Sequence, residues 1–324
     1  MAAQKIIIDC DPGIDDALAL VFAHGHPGLR LCGITTVAGN VGLAATTANA
    51  LRVRDFVGMP EVPVTAGCPG PLSGSPLHAR HVHGSSGLGA ASLPAASSGP
   101  AGGHAVDYLA AATGAEPGEI TLIAVGPLTN IALALRRYPQ LVSQVRNFVI
   151  MGGSAGRGNA TPAAEFNIAA DPEAAAIVFG VGWPVTMIGL DVTRQVRATA
   201  AVRDRMRGLG RLADDLLLPS LSGYRGNSRG PGTDPADGPA VHDVCAVAEV
   251  AAPGLITFLP ARVEVETAGR WTAGMTVTDF AVGPGDGNAR VAVAINADGF
   301  WDLVLDAYGR VAAGMGTATG RAPG

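Results

Sequence analysis

Apolar positions along this chain fall into two alternating rhythms. Ile6, Ile7 and Ile8 form a β-branched run with no polar interruption, the pattern of a strand buried on both faces. Short apolar runs recur at residues 31–37, 62–66, 120–125, 146–151 and 185–188. Between them lie Ala- and Leu-rich segments of helical length at 15–24, 43–57, 104–113, 127–137 and 171–179. Pro127 suits the first position of its helix, and Asp171 and Glu173 place acids at the N-terminus of theirs. This alternation predicts a parallel sheet with helices on both faces. Further helices are expected within 198–221 and at 241–250. Val263, Val265, Val277, Val291 and Val293 alternate with other residues across 257–296 and predict strands there. A last helix is expected at 301–312.

No internal repeat and no linker divides the chain. The expected fold is α/β: a single-domain, Rossmann-like open sheet, mostly parallel, with additional β-strands near the C-terminus. It would occupy residues 1–313, followed by a disordered tail at 314–324. Two stretches break the rhythm. Residues 67–103 are dense in Gly, Ser and Pro and carry His78, His81 and His83. So long a loop in a compact domain is usually functional or disordered. Its grouped histidines and the glycines of 84–89 favour a hinged lid over a site. Residues 223–238 form a second Gly- and Pro-rich loop.

Composition narrows the function. With 324 residues, 48% of them hydrophobic, the chain can bury a large core. A formal net charge of -5 argues against a nucleic-acid partner. Lys5 is the only lysine, so no lysine chemistry is available beyond it. No apolar run is long enough to span a bilayer, so no membrane partner is expected. The first strand begins at once, with no signal peptide. Cys10, Cys32, Cys68 and Cys245 are scattered without metal-site spacing and read as reduced thiols of a cytoplasmic protein.

The densest chemistry follows the first strand. Asp9, Asp11, Asp15 and Asp16 surround a Pro12-Gly13 turn and lead into a helix. Two unit charges at about 4 Å repel by roughly 4 kcal/mol at an effective dielectric of 20. Such a cluster either points apart into water or gathers a cation. Asp15 and Asp16 also suit a helix dipole, but that leaves Asp11, at the end of a buried strand, without a reason. Oxygen-only ligands favour calcium or magnesium over zinc.

The other unusual polar residues also follow strands. Asn40 comes after the second. The Val125 carbonyl precedes Gly126-Pro127 at the end of another. Met151 and a loop carrying Asn159, Glu165, Phe166 and Asn167 follow the next. Open α/β sheets bind ligands beyond the carboxyl ends of their strands, so one crevice would collect them all. Carboxylates and amides around a hard cation suit a polyhydroxyl ligand. A His242-Asp243 pair stands at the mouth of a helix.

These residues carry a resemblance. Asp9-Cys-Asp-Pro-Gly-Ile-Asp-Asp-Ala, Thr35-Thr-Val-Ala-Gly-Asn40, Gly126-Pro-Leu-Thr-Asn130, Val149-Ile-Met-Gly-Gly153, the Gly158 to Glu173 block with Glu165-Phe-Asn167, and Val241-His-Asp243 occur in that order. The chain resembles the inosine-uridine type of nucleoside hydrolase, which hydrolyses the N-glycosidic bond of ribonucleosides with a bound calcium ion. The resemblance implies Asp11, Asp16 and Asp243 as calcium ligands, with the Val125 carbonyl. Asp15, Asn40, Asn159, Glu165 and Asn167 would contact the ribose, beside Met151 and Phe166. Asp11 would be the general base and His242 the proton donor to the leaving base. His83 would lie near the base, and Tyr224 would be its aromatic wall. Relatives are dimers or tetramers, so a homo-oligomer is expected. Two alternatives remain at this point: a non-catalytic nucleoside binder on the same scaffold, and a haloacid-dehalogenase-type phosphatase suggested by Asp9-x-Asp11. The phosphatase wants Thr or Val where Gly13 stands and a late lysine that this chain lacks.

Overall fold

In the computed structural model, which describes residues 2–224, 237–283 and 285–318, the opening strand β1 (Gln4–Cys10) is buried on both sides. Ile6 and Ile8 join one apolar core and Ile7 joins the other. The chain continues through α1 (Ile14–Gly25), β2 (Leu29–Thr36), α2 (Leu43–Phe56), β3 (Val64–Ala66), α3 (Arg80–His83) and α4 (Ala105–Ala115). Next come β4 (Ile120–Ala124), α5 (Thr129–Arg137), α6 (Leu141–Gln144), β5 (Asn147–Met151), α7 (Phe166–Ala170) and α8 (Pro172–Gly180). Then follow β6 (Val185–Ile188), α9 (Leu190–Thr193), α10 (Ala200–Met206), α11 (Leu218–Gly223) and α12 (Asp243–Ala251). The chain ends with β7 (Ile256–Val265), β8 (Thr276–Asp279), β9 (Ala289–Ile295) and α13 (Ala297–Ala318).

The sheet order is β3-β2-β1-β4-β5-β6-β9-β7-β8. Strands β1 to β6 run parallel, β9 joins β6 in parallel, and β7 and β8 add antiparallel pairs at the far side. After β3 the chain crosses back to place β4 on the other side of β1. A crevice therefore opens beyond the carboxyl ends of β1 and β4, where neighbouring connections leave in opposite directions. The protein is one mixed α/β domain. Among the described residues, no helix is long and apolar enough to cross a membrane.

Two local expectations are corrected. Pro127 precedes its helix, which starts at Thr129 with Leu128 as N-cap. The last helix is longer than its apolar pattern, running from Ala297 to Ala318, so the tail expected from 314 is helical as far as it is described. Residues 319–324 and 225–236, the latter most of the second Gly-rich loop, lie outside the described residues. The stretch 67–103, expected as a lid, is tied to neighbouring elements at several points. Asn130 Oδ1 accepts from the Cys68 N–H at 2.9 Å, and Asn49 Nδ2 donates to the Ser86 carbonyl at 2.8 Å. Asp55 accepts from the Ser97 N–H at 2.6 Å, and Leu88 and Leu93 are buried in the core. Its only regular element among the described residues is α3.

Helix α1, which carries Asp15 and Asp16, is backed by α13. Tyr308, fully buried, donates its hydroxyl to the Leu18 carbonyl at 3.1 Å. At Gly25 the two helices come so close that a Cβ would lie 2.2 Å from the Ala307 carbonyl oxygen. Gly25→Ala is therefore expected to lower stability by about 2 kcal/mol through overpacking. Chemical denaturation checks this, and an unchanged midpoint would contradict so close a contact.

Candidate active site

Asp11 leaves the end of β1 with no exposed surface. Its Oδ2 accepts from the Asn40 N–H at 2.6 Å, and its own N–H donates to Asp16 Oδ1 at 3.0 Å. Asp16 Oδ2 accepts from the Gly13 N–H at 2.9 Å and from Asn40 Nδ2 at 3.2 Å. The Pro-Gly turn thus wraps its backbone donors around Asp16. Glycines leave room for Asp11 on two sides. A Cβ at Gly39 would stand 2.1 Å from Asp11 Oδ2, and one at Gly126 would stand 2.7 Å from Oδ1. Asp15 Oδ2 accepts from the Tyr224 hydroxyl at 3.1 Å and from the His242 N–H at 3.3 Å. Asp243 opens α12 close enough to feel the charges of Asp16, Asp15 and Asp11.

These carboxyls share one electrostatic problem. Burial, and then the Asp16 charge, raise Asp11 well above the usual carboxylate range. The same two causes push Asp15 up to about 7, against the bonds from Tyr224 and His242. Burial followed by Asp16, Asp15 and Asp11 raises Asp243 well above its usual value. Among the described residues, no Lys or Arg forms an ion pair with any of them. Two oxygens, Asp11 Oδ1 and Asp15 Oδ1, are buried without a hydrogen-bond partner. Among the described residues, no three acidic, His or Cys side chains are already closed around one point. The carboxyls of Asp11 and Asp16 lean together instead. The donors are nonetheless all hard oxygens, two of them orphaned, in a glycine-lined cradle. That donor chemistry fits a hard divalent cation and does not fit zinc.

Above this floor lies a pocket lined by Asp15, Asn40, His83, Val125, Met151, Asn159, Glu165, Phe166, Asn167, Tyr224, His242 and Asp243. Every residue singled out from the sequence lines it, except Asp11 and Asp16, which lie buried beneath. Asn167 Nδ2 donates to the Val125 carbonyl at 2.9 Å and to the Met151 carbonyl at 3.0 Å, joining the ends of β4 and β5. The Val125 oxygen keeps a second lone pair. Glu165 caps α7, accepting from the Gly153, Asn167 and Ile168 N–H groups. Burial still pushes its carboxyl up to about 7. Asn159 Oδ1 accepts from the Phe166 N–H at 2.8 Å. His83 Nδ1 accepts from the Ile14 N–H at 3.1 Å, and its ring meets Tyr224 edge-on at 5.5 Å.

His242 differs from its expected state. Burial, with Arg194 and His83 adding, holds its imidazole down to about 3, so at neutral pH it carries no stored proton. Sequence reasoning also missed parts of the site. Leu77, Ala79 and Val82 line the pocket beside His78 and His81, which belong to the stretch expected over a site. Thr193, bonded to His242 Nδ1 at 2.8 Å, had no signal at all.

The comparisons with known proteins agree with this geometry. Residues 6–302 match the family model described as inosine-uridine preferring nucleoside hydrolase. The chain is 44% identical over 311 residues to the inosine-uridine preferring nucleoside hydrolase of Leishmania major, covering 95% of this chain and 98% of that one. It is 41% identical over 305 residues to a pyrimidine-specific ribonucleoside hydrolase of Salmonella agona, covering 94% of this chain and 98% of that one. The chain belongs to the inosine-uridine preferring nucleoside hydrolase family. Among solved structures, the purine-preferring ribonucleoside hydrolase from Gardnerella vaginalis superposes with a TM-score of 0.88 at 32% identity, covering 95% of this chain and 99% of that chain. A plant nucleoside hydrolase superposes at 0.85 and 33% identity, covering 94% and 98%. Membership in the nucleoside hydrolases makes the protein an enzyme, and it removes both the phosphatase and the non-catalytic alternatives.

One polar residue of this nucleoside hydrolase ties the acidic turn to its neighbours. Asn130, fully buried, donates to Asp9 Oδ1 at 2.8 Å and to the Thr36 carbonyl at 3.0 Å, while its Oδ1 holds the Cys68 N–H. Asn130→Ala would leave a buried carboxyl and a backbone donor short of partners. A loss of about 3 kcal/mol is expected, read as a lower urea midpoint, and a midpoint at the wild-type value would contradict the network.

Proposed function

We propose that the protein is a calcium-dependent ribonucleoside hydrolase that cleaves the N-glycosidic bond to ribose and free base. The observation that carries this reading is the pair of partnerless buried oxygens, Asp11 Oδ1 and Asp15 Oδ1, under a pocket lined by amides and carboxylates. Asp11, Asp16, Asp243 and the Val125 carbonyl would hold the cation. When bound, it would lower the proton affinity of water and favour hydroxyl-bearing ligands.

The remaining chemistry belongs to the side chains. Asp15, Asn40, Asn159, Glu165 and Asn167 bind the ribose hydroxyls, each ionised carboxylate accepting and each amide able to do both. This fixes the sugar with its anomeric carbon above Asp11. Asp11 Oδ1 takes the proton of the attacking water, a role open to a buried carboxylate oxygen with no other hydrogen-bond partner. Bond cleavage builds positive charge on the sugar ring, and the acidic floor stabilises it. His83, Tyr224 and Phe166 wall the base side, and Met151 packs under the sugar.

His242 assists the departing base in its neutral form. Thr193 is fully buried, and its hydroxyl has His242 Nδ1 as its one side-chain partner among the described residues. A buried hydroxyl hydrogen needs an acceptor, so Thr193 donates to Nδ1. The hydrogen of the imidazole then sits on Nε2, which offers a hydrogen bond to the leaving base rather than a full proton.

Release of ribose from uridine and inosine, assayed with and without a chelator, tests the reading. Wild-type protein is expected to lose turnover on chelation and to recover it with added calcium. Asp11→Asn is expected to lower kcat on the order of 1,000-fold while the fold persists. Turnover indifferent to chelator, or an Asp11→Asn variant with wild-type rate, would sink the mechanism. Gly39→Ala should also act through Asp11, since its Cβ would displace Oδ2. A loss of about 100-fold in kcat/KM is expected, and a wild-type value would show that this carboxyl needs no such fixed position.

A further inference from the structure

The structure places an unassigned polar cluster on α9, immediately beyond β6. Asp191 Oδ2 accepts from the Ala155 N–H at 2.8 Å, and Oδ1 accepts from the Gly156 N–H at 3.1 Å and the Ser154 hydroxyl at 3.3 Å. Arg194, which caps the C-terminus of α9, donates to the Arg157 carbonyl at 2.8 Å and to the Gly158 carbonyl at 2.6 Å. Every residue from Ser154 to Gly158 is thus fastened, and the next residue is Asn159. Ser154 is also held from β8, where Thr276 Oγ1 accepts from its N–H at 2.9 Å. Between Asp191 and Arg194 stands Thr193, whose hydroxyl meets His242 Nδ1.

We propose that Asp191, Thr193 and Arg194 form one positioning clamp, in which α9 fixes the sugar-facing Asn159 through the 154–158 arm and the base-facing His242 through Thr193. This rests on the reading of the site as a ribonucleoside hydrolase, and it adds residues that touch neither substrate nor cation. The two halves act on different steps. Arg194 grips two successive carbonyls with its planar fork, a geometry that an ammonium cannot reproduce. Loosening it frees Asn159 to wander from the sugar, which weakens substrate binding. Thr193 acts on the imidazole instead. Without its hydroxyl, the bond at Nδ1 that orients the ring and favours hydrogen on Nε2 is lost, which affects departure of the base more than binding. Asp191 supports the same arm as Arg194 from its N–H side. The clamp therefore couples two walls of the pocket to a single short turn of chain.

The test separates these effects. Arg194→Ala should raise KM about tenfold, and weaken calorimetric binding of an uncleavable C-nucleoside by a similar factor, with kcat held within about threefold. Arg194→Lys should fall between. Thr193→Val should lower kcat on the order of 100-fold at nearly constant KM, and Thr193→Ser should stay near wild type because it keeps the hydroxyl. Nitrogen-15 spectra of histidine-labelled protein should show His242 protonated at Nε2 in the wild type and in Thr193→Ser, and a tautomer mixture in Thr193→Val. Equal kinetics for Thr193→Val and Thr193→Ser, or Arg194→Ala with wild-type KM, would overturn the clamp. A wild-type protein that releases ribose from no ribonucleoside would overturn the functional reading instead.

Discussion

Like charges forced out of water govern this structure. Asp11, Asp15, Asp16 and Asp243 converge out of solvent, and among the described residues no basic side chain pairs with them. An isolated domain gains nothing from such an arrangement, since each buried carboxylate costs several kcal/mol unless compensated. The surroundings reduce that cost where they can. Backbone N–H groups surround Asp16, Tyr224 and the His242 N–H hold one oxygen of Asp15, and Asn40 holds one oxygen of Asp11. The compensation stops one oxygen short on both Asp11 and Asp15. Several like-charged carboxyls with raised proton affinity, gathered at one pocket, are the mark of a site built for a ligand rather than for stability.

The fold supplies what this cluster requires. Reversal of the strand order between β1 and β4 leaves room at the carboxyl ends, and each neighbouring strand brings one component to the same crevice. Connections after β1 and β2 give the acidic turn and Asn40. Those after β4 and β5 give the Val125 carbonyl and the amide loop. The connection after β6 gives α9. The amide and carboxylate lining is thus gathered from the central strands. The wall that bears histidine and tyrosine comes instead from the long stretch around α3, from Tyr224 at the end of α11 and from His242 at the start of α12.

Much of this was legible in the sequence because its signals are local. A β-branched run followed by carboxylates around Pro-Gly announces a strand, a tight turn and a charge problem without any tertiary knowledge. The polar residues after successive strands could be assigned to one crevice because strand direction is fixed in a parallel sheet. Other features were hidden because they depend on distant packing. The wall from 67 to 103 looked loose, since glycine and serine give no apolar periodicity. Its anchors are side chains on other elements, Asn49, Asp55 and Asn130. Thr193 and Asp191 gave no motif, because a single turn of helix after a short strand has no repeating pattern. The extra length of α13 was obscured by glycine at 309, 314 and 316, which weakens a helix by propensity. The state of His242 could not be read at all. Its burial, not its place beside Asp243, lowers its proton affinity.

The backing of α1 by α13 has a consequence for biosynthesis. The acidic turn leaves the ribosome long before Asp243 and the helix that braces α1. A nascent chain therefore carries its most repulsive segment without the elements that hold it in place. The cradle cannot assemble until α12 and α13 have followed, so any ligand of the acidic turn is captured only after that.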